Sequence, residues 1–235
     1  MVYITGDTHG NFSRCYNLCS VAQTTPEDVL IILGDAGFNY YGGSRDNKEK
    51  FRVSKKYPIT FFCIHGNHEM RPEETGLYKK KMFWGGEVWY EEKYPNILFA
   101  IDGEIYTIPT PDGDVKCLVL GGAYSVDKYY RLRKGFGWWA SEQPSDEIKK
   151  RAEDHIAKVG NKVDIVLSHT CPFKYMPVEA FLPMVDQSTV DKSTEEWLGA
   201  IEEKLEYKKW FCGHYHIIKQ IDKVEFMFEN IKELL

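Results

Sequence analysis

The histidines of this chain follow strand ends. Five of its seven fall in the short polar clusters Asp7-Thr8-His9, Gly34-Asp35, Gly66-Asn67-His68-Glu69, Ser168-His169 and Gly213-His214-Tyr215-His216, each cluster directly after an apolar run. Candidate metal ligands spread from position 7 to position 216 exclude a compact local motif of the zinc-finger kind. Only a folded sheet brings them together.

The runs 2–4, 29–33, 59–64, 163–167 and 209–212 are short, apolar and rich in β-branched or aromatic residues, the pattern of strands buried on both faces. Helix-compatible segments lie between them at 11–22, 44–56, 145–158 and 194–205, the last with Ser193 or Thr194 as N-cap ahead of Glu195-Glu196. Alternation of strand and helix predicts an α/β fold. In such sheets ligands bind beyond the carboxyl ends of the strands, where every polar cluster falls, so the five segments converge on one rim.

With 235 residues, 43% hydrophobic and 28% charged, the chain suits one domain over 1–235 with a sizeable core. No apolar run approaches the roughly 20 residues that span a bilayer. The first strand opens without a basic-then-apolar leader, so no membrane association and a cytoplasmic location are expected. The six cysteines lack zinc-knuckle spacing and read as reduced, mostly buried thiols. A formal charge of −5 argues against a broad polyanion-binding surface.

The ordered set Asp-x-His, Gly-Asp, Gly-Asn-His-Glu, a later His and Gly-His-x-His resembles the calcineurin-like metallophosphoesterases over residues 4 to 216. Any one of these motifs is weak; the series after separate strands is specific. The resemblance implies a sandwich of two mixed β-sheets flanked by helices. It implies that Asp7, His9, Asp35 and His216 hold one divalent metal, that Asp35, Asn67, His169 and His214 hold a second, and that Asp35 bridges them. His68 matches the family's catalytic histidine, which stabilises the transition state or protonates the departing oxygen. Carboxylate and imidazole donors independently suit divalent manganese, iron, zinc, nickel or cobalt without choosing among them; two ions are expected, manganese first, with magnesium as a further alternative. Two such ions roughly 3.5–4 Å apart share a hydroxide and clamp phosphate oxygens for in-line displacement. In the phosphoprotein-phosphatase branch an Asp and an Arg follow the bridging Asp. Here Phe38 and Asn39 stand in those places, which argues against that branch and leaves His68 without an assigned orienting partner.

Among the remaining polar residues, His65 is expected to be satisfied by backbone at a strand end, His155 to lie on a solvated helix face, and Glu69 to make a structural hydrogen bond rather than touch metal. Gly34, Gly66 and Gly213 read as turns or close approaches beside a crowded site. The less regular stretch 71–144 holds four of the six tryptophans and is expected to be a substrate-specificity insertion. Within it 121–134 follows another apolar strand, and its Tyr124 and Arg131 are candidate substrate contacts. Pro172, Pro177 and Pro183 predict a loop or short helices bordering the site, and 217–228, broken at Asp222-Lys223, predicts a hairpin.

These readings predict a phosphoesterase hydrolysing a monoester or diester of a small phosphorylated metabolite or nucleotide. A nuclease, or a non-catalytic metal-binding scaffold of the same fold, is the alternative; the complete ligand set favours the enzyme. The sequence carries no indication of oligomeric state.

Overall fold

The computed structural model describes residues 1–235 and contains two mixed sheets. The first has seven strands in the order β13 (Ile231–Glu233), β1 (Val2–Thr5), β2 (Val29–Ile32), β3 (Thr60–Cys63), β6 (Tyr94–Ala100), β5 (Gly86–Glu91) and β4 (Lys79–Phe83). The second has six, in the order β11 (Lys219–Ile221), β12 (Val224–Phe226), β10 (Lys209–Cys212), β9 (Ile165–Ser168), β8 (Val115–Leu120) and β7 (Ile105–Ile108). Strands β1, β2, β3 and β6 run parallel to one another, as do β8, β9, β10 and β12, while antiparallel strands close the edges. The expected sandwich and the expected strands are therefore present.

Burial explains the continuous apolar runs. Residues such as Ile31, Phe62 and Leu98 of the first sheet meet Val119, Leu167 and Phe211 of the second in a cluster of 18 buried residues. Truncating one of these phenylalanines to alanine costs about 3–5 kcal/mol. On the outer face of the first sheet, α1 (Ser13–Ala22) and α2 (Gly43–Lys56) bring Cys15 and Val53 onto Leu30, Ile32 and Phe61. Against the second sheet, α5 (Asp146–Lys158) and α6 (Ser193–Glu202) pack Ile156, Leu198 and Ile201 onto Val166 and Trp210.

All four helix starts differ from expectation by one or two residues. The first helix begins at Ser13, because the Asn11 side chain accepts the Ser13 amide at 3.1 Å. Helix α6 begins at Ser193 with Lys192 in the N-cap position, and Thr194 instead donates to Gln143 Oε1 at 2.8 Å. Ser145 does cap α5, accepting from Ile148 N.

The stretch 71–144 supplies β4 to β8 as well as α3 (Pro72–Thr75) and α4 (Lys128–Lys134), and the segment after β8 brings Tyr124, Val126 and Asp127 to the cleft beside the cluster. Strand β13 and the β4–β5 hairpin go beyond the expected elements, whereas the β11–β12 hairpin turns at Asp222 as expected. All six cysteines are free thiols, five of them buried. No helix is long and apolar enough to cross a membrane.

Candidate metal centre

Each cluster sits just past a parallel strand: Asp7 and His9 after β1, Asp35 after β2, Asn67 and His68 after β3, His169 after β9, and His214 and His216 after β10. Parallel alignment puts all these ends on one rim, and the side chains meet there. His9 Nε2 lies 3.0 Å from His216 Nε2, which is 3.1 Å from Asp7 Oδ2. Beside this group, His169 Nε2 and His214 Nδ1 both address Asn67 Oδ1, at 2.8 and 3.0 Å. Asp35 Oδ2 stands between the two groups, 3.9 Å from His9 Nε2 and 3.7 Å from His169 Nε2. Donor atoms of Asp7, His9 and His216, and again of Asp7, Asp35 and His169, lie within 4.8 Å of one another. This oxygen and nitrogen set fits divalent cations.

The backbone is bent to reach this geometry. His9, Asp35, His214 and His216 have φ of 46°, 48°, 67° and 53°, a left-handed conformation costing of order 1 kcal/mol per non-glycine residue and concentrated at functional sites. Gly34 combines φ of 94° with a close approach, since a Cβ there would stand 2.0 Å from His169 Nδ1. Gly66 needs only the second property: its Cβ would meet Asp35 Oδ1 at 2.0 Å.

Electrostatics keep both carboxylates and His214 in ligating form. Burial would raise the Asp35 carboxyl, but His169, His68 and His9 together with the His68 amide, 2.8 Å from Oδ1, hold it below the usual carboxylate range. Asp7 is also held low against burial by its hydrogen bond to His216, which is raised in turn. Burial, reinforced by neighbouring His169, pushes His214 down to about 3, leaving its imidazole neutral. His169 Nδ1 is anchored on the Leu33 carbonyl at 2.7 Å, which turns Nε2 toward the cluster.

His68 projects beside this group, 28% exposed, with Nε2 at 3.8 Å from Asp127 Oδ1. Asp127 is absent from the residues singled out in the sequence, as is Ser125, whose hydroxyl accepts from Asn67 Nδ2 at 2.9 Å. Arg131 is 1% exposed and lies behind Asn67 rather than in the cleft, donating to Ser125 Oγ at 2.9 Å and to the Asn67 carbonyl at 3.3 Å. Tyr124 lines the cleft. Phe38 stacks on Phe12 in the core, and Asn39 accepts from the buried Lys50 ammonium at 2.6 Å.

The other polar residues divide. Glu69 is fully buried and accepts the Gly66 amide at 2.8 Å, a structural role as expected. His65, expected to be satisfied by backbone, is buried with neither ring nitrogen hydrogen-bonded. His155, expected to be solvated, is half-buried and pairs with the Gly103 carbonyl at 2.9 Å.

The model of the calcineurin-like phosphoesterase family matches residues 1–217. The chain belongs to that family. Among solved structures it is similar to TT1561 of Thermus thermophilus, with 12% identity and a TM-score of 0.53 over 97% of this chain and 87% of that one. It also matches the phosphopantetheinyl hydrolase PptH from Mycobacterium tuberculosis, with 14% identity and a TM-score of 0.48 over 97% and 87% of the two chains. At 12% identity, the likeness to TT1561 concerns the fold.

Proposed function

We propose that this calcineurin-like phosphoesterase is a dinuclear metal-dependent hydrolase acting on a phosphate monoester or diester of a small metabolite or nucleotide. The observation that carries the reading is the position of Asp35, whose carboxylate faces both the His9–His216 group and the His169–Asn67–His214 group. Asp7, His9, Asp35 and His216 would hold one ion and Asp35, Asn67, His169 and His214 the other, manganese being the first choice for this donor set. Bound there, two divalent ions supply Lewis-acid activation of water and neutralise phosphate charge. Water that has given up one proton to solvent would form the bond to phosphorus as the bond to the leaving oxygen breaks, and His68, at the edge of the cluster, would donate its proton to that oxygen and recover one from solvent. Asp127 orients His68, while Arg131 and Ser125 hold Asn67 from behind.

A diester reading is supported by a second pocket of about 540 Å³ that shares His9 and His68 with the main cleft and carries Tyr40, Tyr41, Arg45, Lys48 and Arg52. A phosphate over the cluster thus has room for a substituent on either side. The deciding experiment is hydrolysis of p-nitrophenyl phosphate and bis-p-nitrophenyl phosphate by metal-stripped protein, with Mn, Fe, Co, Ni, Zn or Mg added back singly. Metal-restored turnover supports the hydrolase, and the preferred ester assigns monoesterase or diesterase. Tight metal binding without turnover of either ester returns the scaffold reading.

A further inference from the structure

The main cleft, of about 560 Å³, has two unlike walls. One carries the metal-ligand cluster. The other is formed by Val126, just beyond β8, and by Met176, Phe181, Leu182, Val185 and Val190. The latter five lie in segment 173–190, which folds only into isolated 3-10 turns. Such a segment has few backbone constraints of its own, yet it presents apolar side chains to an open cleft: Leu182 is 59% and Val126 41% exposed. Leaving them uncovered forgoes hydrophobic stabilisation. The apolar wall is continuous with the cluster, since Phe181 stacks on Tyr215 with centroids 6.4 Å apart and Tyr215 packs edge-on against His214 at 5.0 Å.

Charge narrows the occupant. Away from the cluster, Lys192 is the one cation lining this cleft, against Asp127 and Asp191, while burial raises the Glu195 carboxyl. A polyanionic extension such as further nucleotides or a pyrophosphate tail would meet net negative charge there. The arginines and Lys48 lie in the other pocket.

We infer that this cleft is a subsite for an uncharged apolar substituent, so that the substrate is the phosphoester of an alkyl or aryl alcohol. The inference rests on the phosphoesterase reading and deepens it.

The test is calorimetric binding of methyl-, butyl-, octyl- and phenylphosphonate to the manganese-loaded protein, alongside turnover of the two nitrophenyl esters. Kd should fall by up to about fourfold for each methylene buried; a gain for the phenyl compound alone would select the aryl class. Leu182→Asp and Val126→Asp, at exposed positions that tolerate a charge without unfolding, should flatten the series. Turnover together with a Kd independent of the substituent, or an unflattened series in both variants, overturns the apolar subsite and leaves the phosphoesterase standing. Absence of both phosphonate binding and turnover overturns both.

Discussion

His68 Nε2 and Asp127 Oδ1 face each other at 3.8 Å, and the same oxygen lies 3.7 Å from Arg131 Nη1 with no hydrogen-bond partner of its own. An unpartnered carboxylate oxygen between an imidazole and a guanidinium is poised to take either, and catalytic hydrogen bonds commonly tighten when substrate binds. Asp127→Asn should lower kcat by about 10- to 100-fold, with KM and metal content nearly unchanged. A steady-state comparison with metal analysis checks this. Unchanged kcat removes Asp127 from the machinery, and metal loss reassigns it to the ligand shell.

Asp35 and His68 should separate metal binding from chemistry. Asp35→Asn weakens the carboxylate that the proposed scheme assigns to both ions, so metal content should fall at both positions and turnover should vanish. His68→Ala removes no ligand in the proposed scheme and should keep the metals while slowing hydrolysis by roughly 100- to 10,000-fold. Atomic absorption on each purified variant provides the discriminating readout, and normal turnover by the Asp35 variant sinks the two-metal scheme.

In the proposed scheme Arg131 acts through Asn67. Replacing it with methionine removes one of the donors to the Asn67 carbonyl and one of those to the Ser125 hydroxyl. Loss of such support behind a ligand typically costs about 10- to 100-fold in metal affinity, so the manganese requirement should rise by about that factor, with kcat largely restored at saturating metal. A manganese titration of activity tests it, and an unaltered requirement rejects the positioning role.

What the sequence revealed, and what it hid, follows from how each element is buried. Parallel strands covered on both faces read as continuous apolar runs, so β1, β2, β3, β9 and β10 and the donors beyond them are legible in the chain alone. By contrast β4 carries Lys79-Lys80-Lys81 on an exposed edge and offers neither an apolar run nor alternation. Asp127 was hidden for another reason: its relation to His68 exists only because β8 delivers the start of α4 to the same rim, which no spacing along the chain encodes. A cation after a strand end reads as an anion contact, yet Arg131 is buried at the back of Asn67.

The two sheets are also tied at their margin, and this tie should be sensitive to acid. Glu225 on β12 accepts from Lys209 on β10 at 3.1 Å and from Lys232 on β13 of the opposite sheet at 2.8 Å. Burial opposes its ionisation, but the two ammonium groups outweigh that and hold its carboxyl below the ordinary glutamate value. A carboxylate depressed in the folded state contributes stability above its unfolded pKa of about 4.3, and the contribution is lost as pH falls through the lower folded value. Both lysines are about one-third exposed, so solvent screening limits the tie to about 1 kcal/mol. Glu225→Gln should therefore destabilise the protein by about that amount at pH 7 and progressively less below about pH 4. Urea unfolding of both proteins at pH 7 and pH 3 measures the difference, and a gap that persists unchanged at pH 3 rules out the charge of Glu225 as its origin.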